Sequence, residues 1–210
     1  MKDLLKTFNY LYFGKYKDLN KAIDVYKLYF RLFILNIISK LNKNNFTKKQ
    51  LDLINSLDVW IVSPGGSGST DLILYLNQIL KTNDPKDRDL IKHKNSIPRS
   101  LDNNVKILFI YRDKKDVYDS LVRRGILRKQ HYKLGAIKPF KNFKSFSKLY
   151  DKQKINFLNF NHKNRILYLK YPDFYNEKIK IIEFLGLPNS FIDSFPKFQK
   201  NKEQIDHERR

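Results

Sequence analysis

Residues Ser63-Pro64-Gly65-Gly66-Ser67-Gly68-Ser69-Thr70 join an apolar run, Val59–Val62, to an apolar helical stretch, Leu72–Leu80. Glycines in such a place let the backbone approach an anion, and the N–H groups that open the following helix point at it with help from the Ser69 and Thr70 hydroxyls. Gly65, Gly66, Ser67, Gly68, Ser69 and Thr70 are therefore expected to cradle a phosphate-like group. A second constellation lies downstream, where the strand-like stretch Lys106–Tyr111 ends at Arg112 and Ser120 falls one to two turns into the next helix. A guanidinium at a strand's carboxyl end can fork onto a phosphate, and Ser120 can return toward the same point. Alone, an arginine after a strand is more often a surface salt bridge; joined to the loop, Arg112 is expected to bind an anion.

These groups need a scaffold that brings both loops to one edge. From residue 58 onward, short apolar runs alternate with helical segments: Val59–Val62, Leu72–Leu80, Leu90–Ile91, Val105–Tyr111 and Val117–Arg124, then a helix near Phe146–Phe160, a strand at Ile166–Leu169 and a helix at Asn176–Leu185. Such alternation predicts an α/β domain of three layers, a mostly parallel sheet with helices on both faces, binding its ligand beyond the carboxyl ends of the strands. Residues 3–13, 20–41 and 47–56 read as helices, since Ile23, Tyr26, Phe30, Phe33, Ile34, Ile37 and Leu41 recur at helical spacing. The expected organisation is a helical extension over 1–57 packed on an α/β domain over 58–210. Gly125–Lys144, basic and aromatic without sustained periodicity, reads as a long loop or lid.

Composition narrows the chemistry. The chain has 210 residues, no cysteine and four histidines, which excludes disulfides, thiolate metal sites and a cysteine nucleophile and leaves little room for a metal. The net charge of +21 suits a polyanionic partner, yet lysines outnumber arginines thirty-two to ten in an Asn- and Ile-rich chain, so a solvated lysine coat explains much of it. Leu28–Ile38 is interrupted by Arg31 and Asn36 and is far shorter than the roughly 20 apolar residues of a bilayer span. Asp3, Lys6, Lys15, Lys17 and Asp18 break any signal-peptide core, so an intracellular, cytoplasmic protein is expected, with residues 20–41 the segment through which a peripheral membrane contact could run.

The order of these motifs resembles that of the PAPS-dependent sulfotransferases. That family opens with a strand and a P-K-S-G-T-T-like loop for the 5′-phosphosulfate, and continues to a strand ending R-[ND]-P-[KR]-D-x-x-x-S for the 3′-phosphate. Arg112-Asp113-Lys114-Lys115-Asp116 followed by Ser120 keeps the arginine-to-serine spacing, while Ile166–Phe174 and Ile181–Pro188 resemble the family's Y-E-D-L strand and F-L-G-L helix end. The resemblance, over about residues 58–188, implies a P-loop-like sulfotransferase fold, PAPS as sulfonate donor with PAP as product, no metal, and a glycan or small-molecule acceptor bearing a hydroxyl or amine, with an acidic acceptor favoured by the charge. It also implies a general base at His93, since Leu90-Ile91-Lys92-His93 is similar to the family's K-T-H strand end shifted by one residue, with Asp87 and Asp89 as fallback carboxylates. Gly66 stands where the family has a lysine; Lys92 and Lys94, expected at the end of a neighbouring strand, are the candidates to replace that cation. Lys114 replaces the family's proline, and an R-K-G-x-x-G segment is missing.

Two other readings stay open at the level of sequence. One is an ATP-dependent nucleotide or small-molecule kinase with Asp113 organising Mg²⁺, against which stands a loop without the lysine of G-x-x-x-x-G-K-[ST]. The other is a non-catalytic basic module for nucleic acid or anionic glycan, using Arg128–Lys144 with Tyr132, Phe140 and Phe143 interleaved. Sequence-specific recognition of nucleic acid is not expected from charge alone.

Overall fold

The computed structural model describes residues 46–136, 140 and 142–198, together with Lys27, Phe30 and Ile34. The helix expected over 3–13, and that over 20–41 apart from those three helical, exposed positions, lie outside the described residues, as do 137–139 and 141 of the basic segment.

Three strands, β1 (Val59–Val62), β2 (Lys106–Tyr111) and β3 (Ile166–Lys170), form a parallel sheet in the order β1-β2-β3. Val59 pairs with Lys106 and Val62 with Phe109, while Ile107 pairs with Ile166 and Tyr111 with Lys170. Strands covered on both faces are expected to be apolar throughout, and β1 is wholly buried. Alternate side chains sort to opposite layers. Val59, Ile61, Leu108, Ile110 and Leu169 pack against α2 (Ser69–Leu76) and α6 (Lys178–Leu185), through Leu72, Ile73, Leu76, Ile181, Ile182 and Leu185. Trp60, Val62, Ile107, Phe109 and Ile166 meet Ile54 of α1 (Lys48–Asn55), Ile91, and Phe157 of α5 (Phe143–Leu158). The expected three-layer α/β architecture is the one observed.

A parallel bridge between Val59 and Thr82 places the chain that leaves α2 on one side of β1, with β2 on the other. The chain thus departs from β1 in both directions, which opens a crevice at its carboxyl end. α3 (Lys114–Arg123) follows β2 and packs on α5 through Val117, Leu121, Phe146 and Tyr150. Local signals set the helix starts: Thr47 and Gln50 form a reciprocal cap on α1, Asn142 and Ser145 one on α5, and the Asp113 carboxylate accepts from the Lys115 and Asp116 N–H groups at the start of α3.

Two expectations are corrected. Gly125–Lys144 is not wholly loop, because α4 (Leu127–Lys133) lies within it, anchored by buried Gln130, His131 and Leu134. Leu90–Lys94 is not a strand end but a turn region, with positive φ at Asp87 (55°) and Leu90 (61°). It is nevertheless fixed beside β1, since Trp60 Nε1 donates to the Ile91 carbonyl at 3.1 Å and the Ser63 N–H donates to the Lys92 carbonyl at 3.0 Å. Among the described residues no helix is long and apolar enough to cross a membrane.

Candidate functional site

At the carboxyl end of β1 and β2 lies a cavity of about 360 Å³, within the range of small-ligand sites. All six residues of the Gly65–Thr70 loop line it, and so do Arg112, Ser120, Lys92 and His93. The parallel sheet brings loops distant in sequence to one edge, where Lys92 and His93 join them from the turn region beside β1.

The loop's backbone requires its glycines. Gly65, Gly66 and Gly68 have φ of 90°, 67° and 69°. A Cβ on Gly68 would stand 2.2 Å from the Tyr171 ring, and one on Gly65 would stand 2.5 Å from the Gln130 amide. Gly68 also precedes α2 without a side-chain cap on its first-turn N–H groups, and the residues of that turn, Ser69, Thr70 and Asp71, line the cavity. The loop is braced from behind by Ser63 and Ser69, whose hydroxyls are 3.0 Å apart, and from above by Gln130, whose amide donates to the Pro64 carbonyl at 2.8 Å.

Lys92 reaches the loop from the other side of β1. Its Nζ is 2.8 Å from Thr70 Oγ1 and 2.9 Å from the Pro85 carbonyl. Burial pulls its pKa down to about 8, against a partly compensating attraction to Asp87. Lys94, the second candidate for the missing cation, is not in the cavity: its ammonium donates to Gln50 Oε1 at 2.9 Å and lies over the Phe46 ring. In a strand, positions two apart share a face; in the turn observed here they part.

His93 Nδ1 is 2.7 Å from the Ser63 carbonyl, which can only accept, so Nδ1 carries the proton and Nε2 keeps its lone pair. The imidazole is 12% exposed, and burial, reinforced by the cations Lys133 and Lys92 and opposed by Asp87, lowers its pKa to about 4. Nε2 lies 4.0 Å from Asp87 Oδ2. The fallback carboxylates are both engaged in structure: Asp87 holds the Lys133 ammonium at 2.6 Å and the Lys92 N–H at 3.0 Å, and Asp89 accepts from the Asp84 and Ile91 N–H groups.

The opposite wall is built by the β2–α3 turn. Arg112 stacks over Tyr171, 5.2 Å from the ring centre, and its Nε donates to Asp116 at 3.2 Å. Its peptide is gripped by Tyr150, whose hydroxyl bonds to both the N–H and the carbonyl of Arg112. Ser120, nearly buried, faces the cavity from α3. Arg123, Arg124, Gln130, Lys133 and Tyr171 also line it; Tyr171 belongs to the stretch likened to Y-E-D-L and Lys133 to the basic Gly125–Lys144 segment, but none is expected from sequence as a site residue. Among the described residues, basic lining side chains thus outnumber the acidic one, Asp71. Asp113, capping α3, is not part of the lining.

No family model matches the chain, and no curated protein does. Among solved structures the chain is similar to the mouse sulfotransferase SULT7A1 complexed with PAP, at 16% identity and a TM-score of 0.39, over 77% of this chain and 67% of that one.

Proposed function

We propose that the protein is a sulfotransferase that takes a sulfonate group from PAPS and delivers it to a hydroxyl or amine. The observation that carries this reading is that one cavity is lined both by an uncapped helix start with Lys92 and by Arg112 with Ser120. A ligand bearing separate 5′ and 3′ anionic groups matches that division. Asp113 speaks against a kinase, because its carboxylate is committed to the N–H groups of α3 and stands outside the cavity lining.

The donor supplies an activated sulfonate on a phosphate leaving group; everything else falls to the chain. The loop N–H groups and the Ser69 and Thr70 hydroxyls hold the 5′ end. Lys92 supplies the cation that the family's loop lysine provides, at the point where charge grows on the departing phosphate. Arg112 and Ser120 hold the 3′-phosphate, and the Tyr171 ring keeps the guanidinium from swinging away. His93 accepts the proton of the attacking acceptor at Nε2, and the Asp87 carboxylate 4.0 Å away stabilises the imidazolium as it forms, against the burial that lowers its resting pKa to about 4.

Isothermal titration with PAP and AMP tests the binding half. PAP should bind in preference, and Arg112→Ala should remove most of the difference; equal affinities in the unmodified protein would overturn the assignment. Transfer of ³⁵S from labelled PAPS to a panel of glycans and small hydroxyl compounds tests the chemical half.

A further inference from the structure

Gly66 stands where a side chain would be expected to bring charge into the loop, and the space beside it is already taken. A Cβ at Gly66 would lie 3.2 Å from Nη2 of Arg124 and 3.7 Å from Ser120 Oγ. Arg124 follows the last turn of α3, and its Nε donates to the Ser120 carbonyl at 3.3 Å, which turns the guanidinium from the helix end back toward the loop. It lines the same cavity as the loop and as Arg112.

We infer that Arg124 is a further anion-binding residue of this site, delivering from the end of α3 a charge to the loop side of the cavity, and that at Gly66, where the φ of 67° already favours glycine, a side chain would in addition crowd the Arg124 guanidinium. The inference rests on the sulfotransferase reading and names a residue and a role that the sequence motifs do not contain. Charge and geometry support it together. An arginine presents several donors in a planar fork, so one guanidinium between Gly66 and Ser120 can serve a phosphate held by the loop. Arg124 is exposed and comes after the helix, so its removal takes nothing from the core. Lys92 and Arg124 then approach the loop at different points, the first at Thr70 and the second at Gly66. The loop has no basic side chain of its own.

The test uses the full chain, calorimetric titration with PAP and with AMP, and thermal unfolding to verify that each variant is folded. Arg124→Ala should weaken both ligands to a similar degree, by about tenfold or more, because both carry the 5′-phosphate. That pattern differs from Arg112→Ala, which should weaken PAP alone. Arg124→Lys should recover part of the loss. Gly66→Ala should weaken PAP in the unmodified protein, where the added methyl crowds the guanidinium, and distinctly less in the Arg124→Ala background. Backbone strain at Gly66 is the same in both backgrounds, so the non-additivity reports the contact itself. Additive effects, or an Arg124→Ala protein that binds both ligands as the unmodified one does, would overturn the role given to Arg124. A loss confined to PAP would move Arg124 to the 3′ side and also overturn it. Should the unmodified protein fail to prefer PAP over AMP, the sulfotransferase reading falls and this inference with it; a clear preference with an indifferent Arg124→Ala sinks the inference alone.

Discussion

Replacing Lys92 by methionine should make the free protein more stable and a worse binder of anions. Lys92 is 4% exposed, and its pKa lies near 8 instead of 10.5. Keeping it charged in the folded state at pH 7 therefore costs about 3 kcal/mol relative to the unfolded chain. Methionine, of similar length, removes that cost but gives up the contacts to Thr70 and Pro85, worth about 1 kcal/mol each. The net expectation is a gain of about 1 kcal/mol, or a melting temperature higher by about 2–4 °C. The sign of the pH dependence follows from the lowered pKa. The penalty is complete below about 8 and is relieved as pH rises from there toward 10.5, so the variant's advantage should be constant near neutrality and shrink in that alkaline window. Lys94, also held at about 8 by burial, is present in both proteins and cancels from the difference. The chain's single tryptophan, Trp60, is fully buried and reports urea unfolding by fluorescence without a label. In the same samples PAP affinity should fall by about tenfold or more, since a charged donor is lost at the loop. A variant that is clearly less stable at pH 7, or whose advantage is unchanged at pH 10, would refute this account of Lys92 as a cation kept for binding at the expense of stability.

Three further outcomes are expected. His93→Asn should reduce ³⁵S transfer by about 10²–10⁴ while leaving PAP affinity intact, as suits loss of a general base; in the unmodified protein, the lowered imidazole pKa should cost stability as pH falls from about 6.5 through 4, where the unfolded chain takes up a proton and the folded one does not. Gly68→Ala should weaken PAP more than AMP, because its methyl would stand 2.2 Å from the Tyr171 ring and displace the platform under Arg112; a differential titration in which both ligands weaken equally would contradict this. Oligonucleotides should bind weakly, equally across scrambled sequences and less tightly as salt rises; one sequence bound far above the others at physiological salt would restore the nucleic-acid reading.

The sequence by itself determined whatever depends on neighbours along the chain. The glycines and hydroxyls of Gly65–Thr70 dictate a loop that opens a helix, and Asp113 caps the start of α3, the helix that carries Ser120. The unbroken apolar runs Val59–Val62 and Ile107–Tyr111 specify strands covered on both faces, and the sheet that follows brings both loops to one edge. Lys92 and Lys94 mark the boundary of that legibility. As residues of a strand end they would share a face, but the positive φ values at Asp87 and Leu90 and the Trp60 contact to Ile91 rest on packing, and they send one ammonium to Thr70 and the other to Gln50. Only the tertiary structure decided the remaining wall. Arg124, Gln130 and Lys133 carry no motif signal and line the cavity because α3 ends and α4 lies beside the loop, while Tyr171, the first residue of the stretch likened to Y-E-D-L, meets Gly68 from the end of β3. Short-range sterics and hydrogen bonds can be read from adjacent residues, whereas a charge delivered across sixty positions depends on how helices pack, and packing is a property of the whole core.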